Sequence, residues 1–321
     1  MSEYKGIQGQ KVRTYTTDPD NPIVGQVWYN ATTQTIKLEG VTTSGSWATG
    51  GTLNTGRNSS AGAGIQTAGM IAGGKEPPVG NTELYNGTAW TETTDMNSVR
   101  RIHAAAGADN TAALYFGGYD DPVQILGLTE SWNGSAWTEV NDLNTSRYAL
   151  AGAGIQTAAL ALGGNTGPAY LSETESWNGT SWTEVNDLTT ARAAFAAAGT
   201  QTSALVFGGQ FALAITESWN GTSWTEVNDL NTGRHYLGGA GNQTAALAFG
   251  GLSPGYTGAT EEWNGTSWTE TTDNPISKSS FGSFGTQAAA IAAGGSPTPV
   301  IATTEEWTGA GSPLTQTVTT D

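Results

Sequence analysis

The chain has 321 residues, with 12 lysines and arginines against 28 aspartates and glutamates, a formal net charge of −16 and no cysteine. This charge repels phosphate groups and anionic lipid, so the composition argues against a nucleic-acid partner and against membrane insertion. A chain without cysteine forms no disulfide and offers neither a thiolate metal ligand nor a thiol nucleophile. We therefore expect no cofactor and no bound metal.

The N-terminal segment, residues 1–24, lacks the apolar stretch of a signal peptide and carries a DPDNP turn from Asp18 to Pro22. We predict that it forms an extension that attaches the protein to others, and that residues 25–321 form a single β-domain. Residues 36–47 are predicted to form a β-hairpin.

A repeated unit fills most of the remaining chain. Its clearest mark is a Gly-Gly doublet that recurs at spacings of 44, 46, 45, 42 and 44 residues, at Gly73, Gly117, Gly163, Gly208, Gly250 and Gly294. A period of about 45 residues with four short strands per unit is typical of a β-propeller. The sequence therefore predicts an all-β fold, a six-bladed β-propeller of four-stranded blades, with strands a to d in each blade.

The first two strands of each unit differ in composition. Strand a is nearly all glycine and alanine, as in AGAG at residues 151–154, which suits the crowded centre of a propeller. Strand b is apolar on both faces, as in LAL at residues 160–162, and is predicted to lie between neighbouring blades.

The outer strands carry the sequence TESWNGTSWTEVND, which occurs identically at residues 174–187 and 216–229. Asn-Gly between two strands is a strong signal for a two-residue type I′ turn, which would place Trp177 opposite Thr180. Trp182 would then project from the same side of the hairpin as Trp177. We predict that two indoles per blade fill the gap to the next blade.

The ends of the chain are predicted to share the last blade. Its third strand holds Trp307, but the GSPLTQTV that follows has no tryptophan. Residues 45–47 (GSW) supply a tryptophan ahead of the first repeat. We expect this N-terminal strand to close the propeller by completing the blade begun at residues 278–307.

Residues 53–307 resemble the kelch repeat, in which a Gly-Gly doublet, an aromatic residue, a tryptophan and then an arginine recur in that order. The tandem TESWNGTSWTEV units are also similar to kelch-like proteins of marine tailed bacteriophages, and GQVWYNATTQTIK at residues 25–37 is similar to N-terminal stretches of phage tail-fibre proteins. The resemblance implies a virion protein that contacts other virion proteins through its N-terminal segment.

The b–c loops vary between units that are otherwise almost copies, and they all open on one face of a propeller. Either they recognise a ligand or they have drifted without one. Four aromatic residues in these loops are candidate contacts, because aromatic side chains give contact area at small entropic cost: Tyr119, Tyr170, Phe211 and Tyr256.

A cation recurs on the same face where each unit begins, at Arg57, Arg101, Arg147, Arg192, Arg234 and Lys278. Some kelch proteins hold acidic peptides with arginines at this place, so these residues are candidate anion-binding residues. The favoured alternative is structural, because each unit also carries a glutamate in TES that could pair with the buried cation.

Catalysis has little support in the sequence. The two histidines, His103 and His235, are not at metal-ligand spacing. We therefore predict a non-enzymatic, virion-associated module, made without a signal peptide, that presents its loop face to a host surface component, either a glycan or an envelope protein. The alternatives are a structural virion protein without a ligand and a lectin-like propeller.

Overall fold

The computed structural model describes residues 12–19, 25–41, 44–74, 79–120, 124–297, 299–311 and 313–318. As the sequence predicts, these residues form an all-β structure. The chain divides into two compact units: unit 1 contains residues 1–45 and 309–321, and unit 2 contains residues 46–308. No helix in these described ranges is long and apolar enough to span a membrane.

Unit 1 contains one four-stranded sheet, in the order β1 (Arg13–Tyr15), β2 (Val27–Asn30), β3 (Thr35–Val41) and β30 (Pro313–Val318). Strands β1 and β2 are parallel, and the other pairs are antiparallel. Asp18 accepts hydrogen bonds from Asn30 Nδ2 at 2.8 Å and from the buried Trp28 Nε1 at 2.9 Å, which lower its pKa. These bonds link residue 18 to β2.

This pairing corrects one sequence prediction. The hairpin predicted for residues 36–47 is absent, since β3 pairs with β2 and β30. The predicted boundary between an extension at residues 1–24 and a domain at residues 25–321 stays a prediction. Part of the predicted turn at residues 18–22, and most of residues 1–24, lie outside the described residues.

Unit 2 contains six four-stranded antiparallel sheets, numbered here 1 to 6 in chain order, each with its strands in the order a, b, c, d. Sheets 1 to 3 are β5 (Ala61–Ile65), β6 (Ala68–Ala72), β7 (Thr82–Tyr85) and β8 (Trp90–Glu92); β9 (Ala104–Asp109), β10 (Ala112–Phe116), β13 (Thr129–Trp132) and β14 (Trp137–Val140); and β15 (Ala151–Ile155), β16 (Ala158–Asn165), β17 (Tyr170–Trp177) and β18 (Trp182–Val185).

Sheets 4 to 6 are β19 (Ala196–Thr200), β20 (Ser203–Phe207), β21 (Thr216–Trp219) and β22 (Trp224–Val227); β23 (Gly238–Asn242), β24 (Ala245–Phe249), β25 (Thr260–Trp263) and β26 (Trp268–Glu270); and β27 (Gly282–Gly285), β28 (Ala289–Ala293), β29 (Thr304–Thr308) and β4 (Ser46–Thr49). Two b–c loops contain further short elements, the strand pair β11 (Tyr119–Asp120) and β12 (Gln124–Ile125) and the 3₁₀ turn η1 (Gln210–Ala212).

The a strands contact one another, which explains their small residues. Each a strand lies against the a strands of the sheets before and after it, and β27 of sheet 6 lies against β5 of sheet 1. A Cβ atom at Gly152 would lie only 2.4 Å from the carbonyl oxygen of Ala105 in sheet 2. Larger side chains would therefore force the strands apart.

A cyclic set of six backbone hydrogen bonds lies just before the a strands. The participating residue of each sheet has a positive φ between 52° and 57° although none is glycine, and its N–H donates to the carbonyl of the equivalent residue in the preceding sheet at 2.6–3.0 Å. The six residues are Ser59, Ile102, Ala149, Ala194, Tyr236 and Ser280. The series is unbroken, because Ser59 of sheet 1 donates to Ser280 of sheet 6.

The outer hairpin has a different turn from the one predicted. Trp177 pairs directly with Trp182, so the loop has four residues, and only Gly179 among them has a positive φ, of 91°. The side-chain Oδ1 of Asn178 accepts hydrogen bonds from Thr180 N and Ser181 N, both at 2.9 Å. This Asx-type arrangement stabilises the longer loop, so the type I′ prediction is wrong.

The predicted tryptophan pairs nevertheless pack as expected. The indoles of Trp177 and Trp182 are 5.3 Å apart and are buried against Leu114 and Phe116 of sheet 2. Equivalent apolar clusters lie between all consecutive sheets, including sheets 6 and 1, where Tyr85 and Trp90 of sheet 1 take the place of the two tryptophans. These clusters form the hydrophobic core of unit 2.

Sheet 6 combines distant parts of the chain. Strand β4 pairs with β29, and Trp47 lies directly opposite Trp307 with their rings 5.3 Å apart. This strand is the one that residues 45–47 were predicted to supply. Trp47 thus occupies the place that Trp182 holds in sheet 3.

Candidate binding face

The recurring cations are internal structural residues. Five of the six predicted positions, Arg57, Arg147, Arg192, Arg234 and Lys278, have side chains with no exposed surface, and each pairs with a buried glutamate of strand c in its own sheet. Burial lowers the pKa of Arg147, Arg192, Arg234 and Lys278, and the paired carboxylates oppose this shift. The favoured structural interpretation is therefore observed, and these groups do not face solvent.

In sheet 2 the equivalent residue is Arg100 and not the predicted Arg101. Arg100 is buried and pairs with Glu130. The spacing could have shown this, because Arg100 lies four positions after Met96, as Arg57 lies four positions after Leu53. Arg101 is half-buried on the loop face instead.

The glutamate of each pair also receives backbone donors from the loop that enters the sheet. Glu217 accepts hydrogen bonds from Thr189 N at 2.6 Å and Thr190 N at 3.2 Å in addition to its bond from Arg192. In sheet 3, Asn144 donates to Glu175 through both its backbone N and its Nδ2, each at 2.8 Å. The segments that enter these two sheets, LTTAR at residues 188–192 and LNTSR at residues 143–147, are therefore caps that close over a buried carboxylate.

The exposed aromatic residues lie at the opposite end of the sheets from the constant a–b and c–d turns. Phe211 is 81% exposed and Tyr170 is 40% exposed. Their ring centroids are 5.9 Å apart and the rings are nearly perpendicular, at 87°. The loops of sheets 3 and 4 thus form an open aromatic corner.

Phe211 is held in its exposed position by a hydrogen-bonded turn. Gln210 N donates to Ala193 O at 2.9 Å, Gln210 Oε1 accepts from Ala193 N at 2.5 Å, and Leu213 N donates to Gly209 O at 3.1 Å. Phe211 and Ala212 both have positive φ, of 61° and 57°. Two consecutive non-glycine residues in the left-handed backbone conformation cost conformational energy, and such backbone strain concentrates at functional sites.

Further aromatic residues extend the corner into a belt across sheets 2 to 5. The rings of Tyr119 and Tyr148 are 5.4 Å apart, and Tyr148 and Tyr236 both pack against a small alanine cluster. Burial raises the pKa of Tyr236, and the phenols of Tyr148 and Tyr170 raise it further. We call Tyr119, Tyr148, Tyr170, Phe211 and Tyr236 the aromatic belt.

The sequence predicted three of these five residues. Tyr148 and Tyr236 were missed because they lie in the entry segments beside Arg147 and Arg234 and not in the b–c loops. Tyr119 is half-buried under Arg101, whose guanidinium lies 4.1 Å from its ring centroid and bonds its hydroxyl. Tyr256 is 43% exposed in the loop of sheet 5 and makes no ring contact with the belt among the described residues.

His103 lies at the centre of unit 2, beside the cyclic hydrogen bonds. It lines a cavity of about 100 Å³ with residues such as Ser60 and Phe195. Its Nε2 lies 3.1 Å from Ala72 O, and burial lowers its pKa to about 3. In the part of the chain that the structure describes, no group of histidine, aspartate and glutamate side chains is placed to hold a metal ion.

We predict that His103 makes unit 2 sensitive to acid. As the pH falls, His103 of the unfolded chain becomes protonated near pH 6.5, whereas His103 of the folded chain becomes protonated only near pH 3. The free energy of unfolding therefore decreases as the pH drops through this interval. At pH 5 the expected loss is about 2 kcal/mol. His103→Leu, which copies Leu150 and Leu237 at the equivalent positions, should remove this part of the pH dependence in urea titrations at pH 7 and 5. An unchanged pH dependence would contradict the assignment.

No protein-family model matches the chain, and no curated protein matches its sequence. Among solved structures, it is similar to one titled "Structure of YjhT", with a TM-score of 0.66 and 11% sequence identity, over 83% of this chain and 99% of that chain. At such low identity the likeness concerns the fold alone. Together with the repeated four-stranded antiparallel sheets, it shows that the chain contains a β-propeller-type fold.

Proposed function

We propose that unit 2 is a closed, six-bladed, kelch-like β-propeller whose last blade is completed by the N-terminal strand β4. Two observations support closure. The cyclic backbone hydrogen bonds run from Ser59 back to Ser280 without a break, and the side chain of Gln66 in sheet 1 donates to Trp307 O in sheet 6 at 2.9 Å.

We further propose that the protein is a non-enzymatic, virion-associated receptor-binding module, of the tail-fibre type, that presents its b–c loop face to a host surface component. The observation that carries this proposal is the aromatic belt. An apolar ring as exposed as Phe211, held by a strained and hydrogen-bonded turn, is costly for the free protein. A partner that covers the ring would offset that cost.

The opposite end of the sheets serves the fold. Asn141 and Asn186 donate to the carbonyl oxygens of Thr180 and Thr222 in the c–d turns of the next sheets, at 2.9 and 2.7 Å. Gln156 and Gln201 of the a–b turns donate to the carbonyls of Trp132 and Trp177 in the preceding sheets, both at 2.5 Å. The constancy of these turns is thus explained by contacts within the protein.

Replacing the four predicted loop aromatics together by alanine should abolish attachment to host cells. The variant carries Tyr119→Ala, Tyr170→Ala, Phe211→Ala and Tyr256→Ala, and its melting temperature should stay close to that of the wild type because these rings are at least partly exposed. Fluorescently labelled protein would be assayed for attachment to a panel of marine bacteria and their phage-resistant derivatives.

Variants at Thr180 and Thr222 are the matched controls. In these turns the hydrogen bond from the preceding sheet is accepted by the backbone carbonyl of the threonine and not by its side chain. Both should attach normally. If the variant with four substitutions binds as well as the wild type, or if the wild type binds no cell, the proposed receptor-binding function fails. The alternative, a structural virion protein joined to other virion proteins through its N-terminal segment, would then be the better account.

A further inference from the structure

The corner between Tyr170 and Phe211 has the shape of a site for a flat, partly apolar ring. Because the two rings meet at 87°, a ligand ring lying on one of them has its edge against the other. Phe211 offers most of its surface to such a ligand, being 81% exposed. The turn that carries it is fixed by hydrogen bonds to Ala193, so the site is formed before binding.

Polar groups for hydroxyl recognition lie beside these rings. Asn165 pairs directly with Tyr170 across the β16–β17 hairpin, so their side chains project from the same face. Asn165 Oδ1 accepts a hydrogen bond from Gly167 N at 2.5 Å, which orients the amide. Its Nδ2 is then a donor at the edge of the corner, and the Tyr170 hydroxyl can donate or accept.

No Asp, Glu, Lys or Arg lies on the two loops that form this corner. The hairpin tip at residues 166–169 and the loop at residues 210–215 contain no ionisable side chain, although the chain as a whole carries −16. The acidic residue of the hairpin, Glu173, lies 3.4 Å from Arg147. An acidic ligand would find no cation on these two loops and would be repelled by the net charge, and a basic ligand would find no carboxylate there.

We propose that this corner binds a sugar residue of an uncharged glycan. The C–H face of the pyranose stacks on Phe211, Tyr170 flanks it, and Asn165 hydrogen-bonds to its hydroxyls. Stacking ring faces and oriented amides match a ligand that has one apolar face and a hydroxylated edge. The inference rests on the proposed function, since it names the ligand class of the b–c loop face.

The test is titration of the full chain with neutral hexasaccharides, namely cellohexaose, maltohexaose, mannohexaose and N-acetylchitohexaose, and with hexagalacturonate as the acidic probe, by isothermal titration calorimetry. At least one neutral probe should bind and hexagalacturonate should not. Phe211→Ala should weaken binding at least tenfold, while Phe211→Trp should retain it. Ile155→Ala, which removes a 43% exposed apolar side chain at the opposite end of sheet 3, should leave binding unchanged.

Two results overturn the inference. One is the absence of binding by every neutral probe, and the other is neutral binding that Phe211→Ala leaves unchanged. Attachment to cells separates this failure from that of the proposed function. If Phe211→Ala still loses attachment, and protease treatment of the cells abolishes wild-type attachment, the loop face binds a protein and not a glycan. If Phe211→Ala attaches normally, the proposed role of this part of the face fails as well.

Discussion

Trp182→Ala should destabilise unit 2 by roughly 3–5 kcal/mol. The indole fills the gap between sheets 2 and 3, where its ring lies 4.9 Å from that of Phe116. Its Nε1 also donates to Thr129 Oγ1 in sheet 2 at 3.1 Å, so truncation leaves a cavity and an unpaired buried hydroxyl. Urea denaturation followed by circular dichroism would measure the loss.

Ile155→Ala is the control for this variant, because it removes an exposed apolar side chain of the same sheet and should change stability little. A loss of roughly 3–5 kcal/mol is also expected for Trp224→Ala in sheet 4, from the cavity that it leaves between sheets 3 and 4. Wild-type stability in both tryptophan variants would mean that the indoles are accessible. The outer hairpins would then become candidate sugar-stacking sites, as in a lectin-like propeller.

Glu217→Ala should cost about 3–5 kcal/mol, because it leaves the fully buried guanidinium of Arg192 without its carboxylate. The backbone N–H groups of Thr189 and Thr190 would lose their acceptor as well. The measurement is again the free energy of unfolding. Glu226→Gln is the matched control, since Glu226 lies opposite Glu217 in the same hairpin but is exposed.

A double variant would show that the unpaired charge causes this loss. Replacing both partners by apolar residues, as in Arg192→Met with Glu217→Leu, should recover much of the stability, because no charge is then left buried without a partner. A double variant as unstable as the sum of the two single variants would contradict the pairing. An anion-binding role for Arg192 would predict no loss of stability in Glu217→Ala.

Local features of the repeat were predictable because each unit repeats the same contacts. The tryptophans recur at one spacing, so a single packing solution applies to sheets 2 to 5. The need for glycine at the Gly-Gly doublet follows from the backbone. Gly163 has φ of 52°, and a Cβ there would lie 2.6 Å from Arg192 O. Alanine and glycine in strand a follow from the close approach of neighbouring strands.

The errors arise where tertiary contacts compete with a local signal. Asn178-Gly179 is a strong two-residue turn signal, but the cross-strand pairing of Trp177 with Trp182 lengthens the loop to four residues. Residues 35–41 look like an outer strand of the repeat, yet they pair with residues 27–30 and with residues 313–318 at the other end of the chain. No local pattern encodes a partner so far away in sequence.

By itself, the sequence determined the all-β fold, the repeat, the tryptophan cores and the completion of sheet 6 by the N-terminal strand that carries Trp47. All of these depend on side-chain size and spacing within one unit. Only the tertiary structure decided which exposed residues act together. Tyr148 and Tyr236 join the aromatic belt because sheets 2 to 5 bring their entry segments close to the loops. The side chains of Arg192 and its equivalents are not exposed on the loop face, because each lies buried against a glutamate of its own sheet. The fold sets this contact.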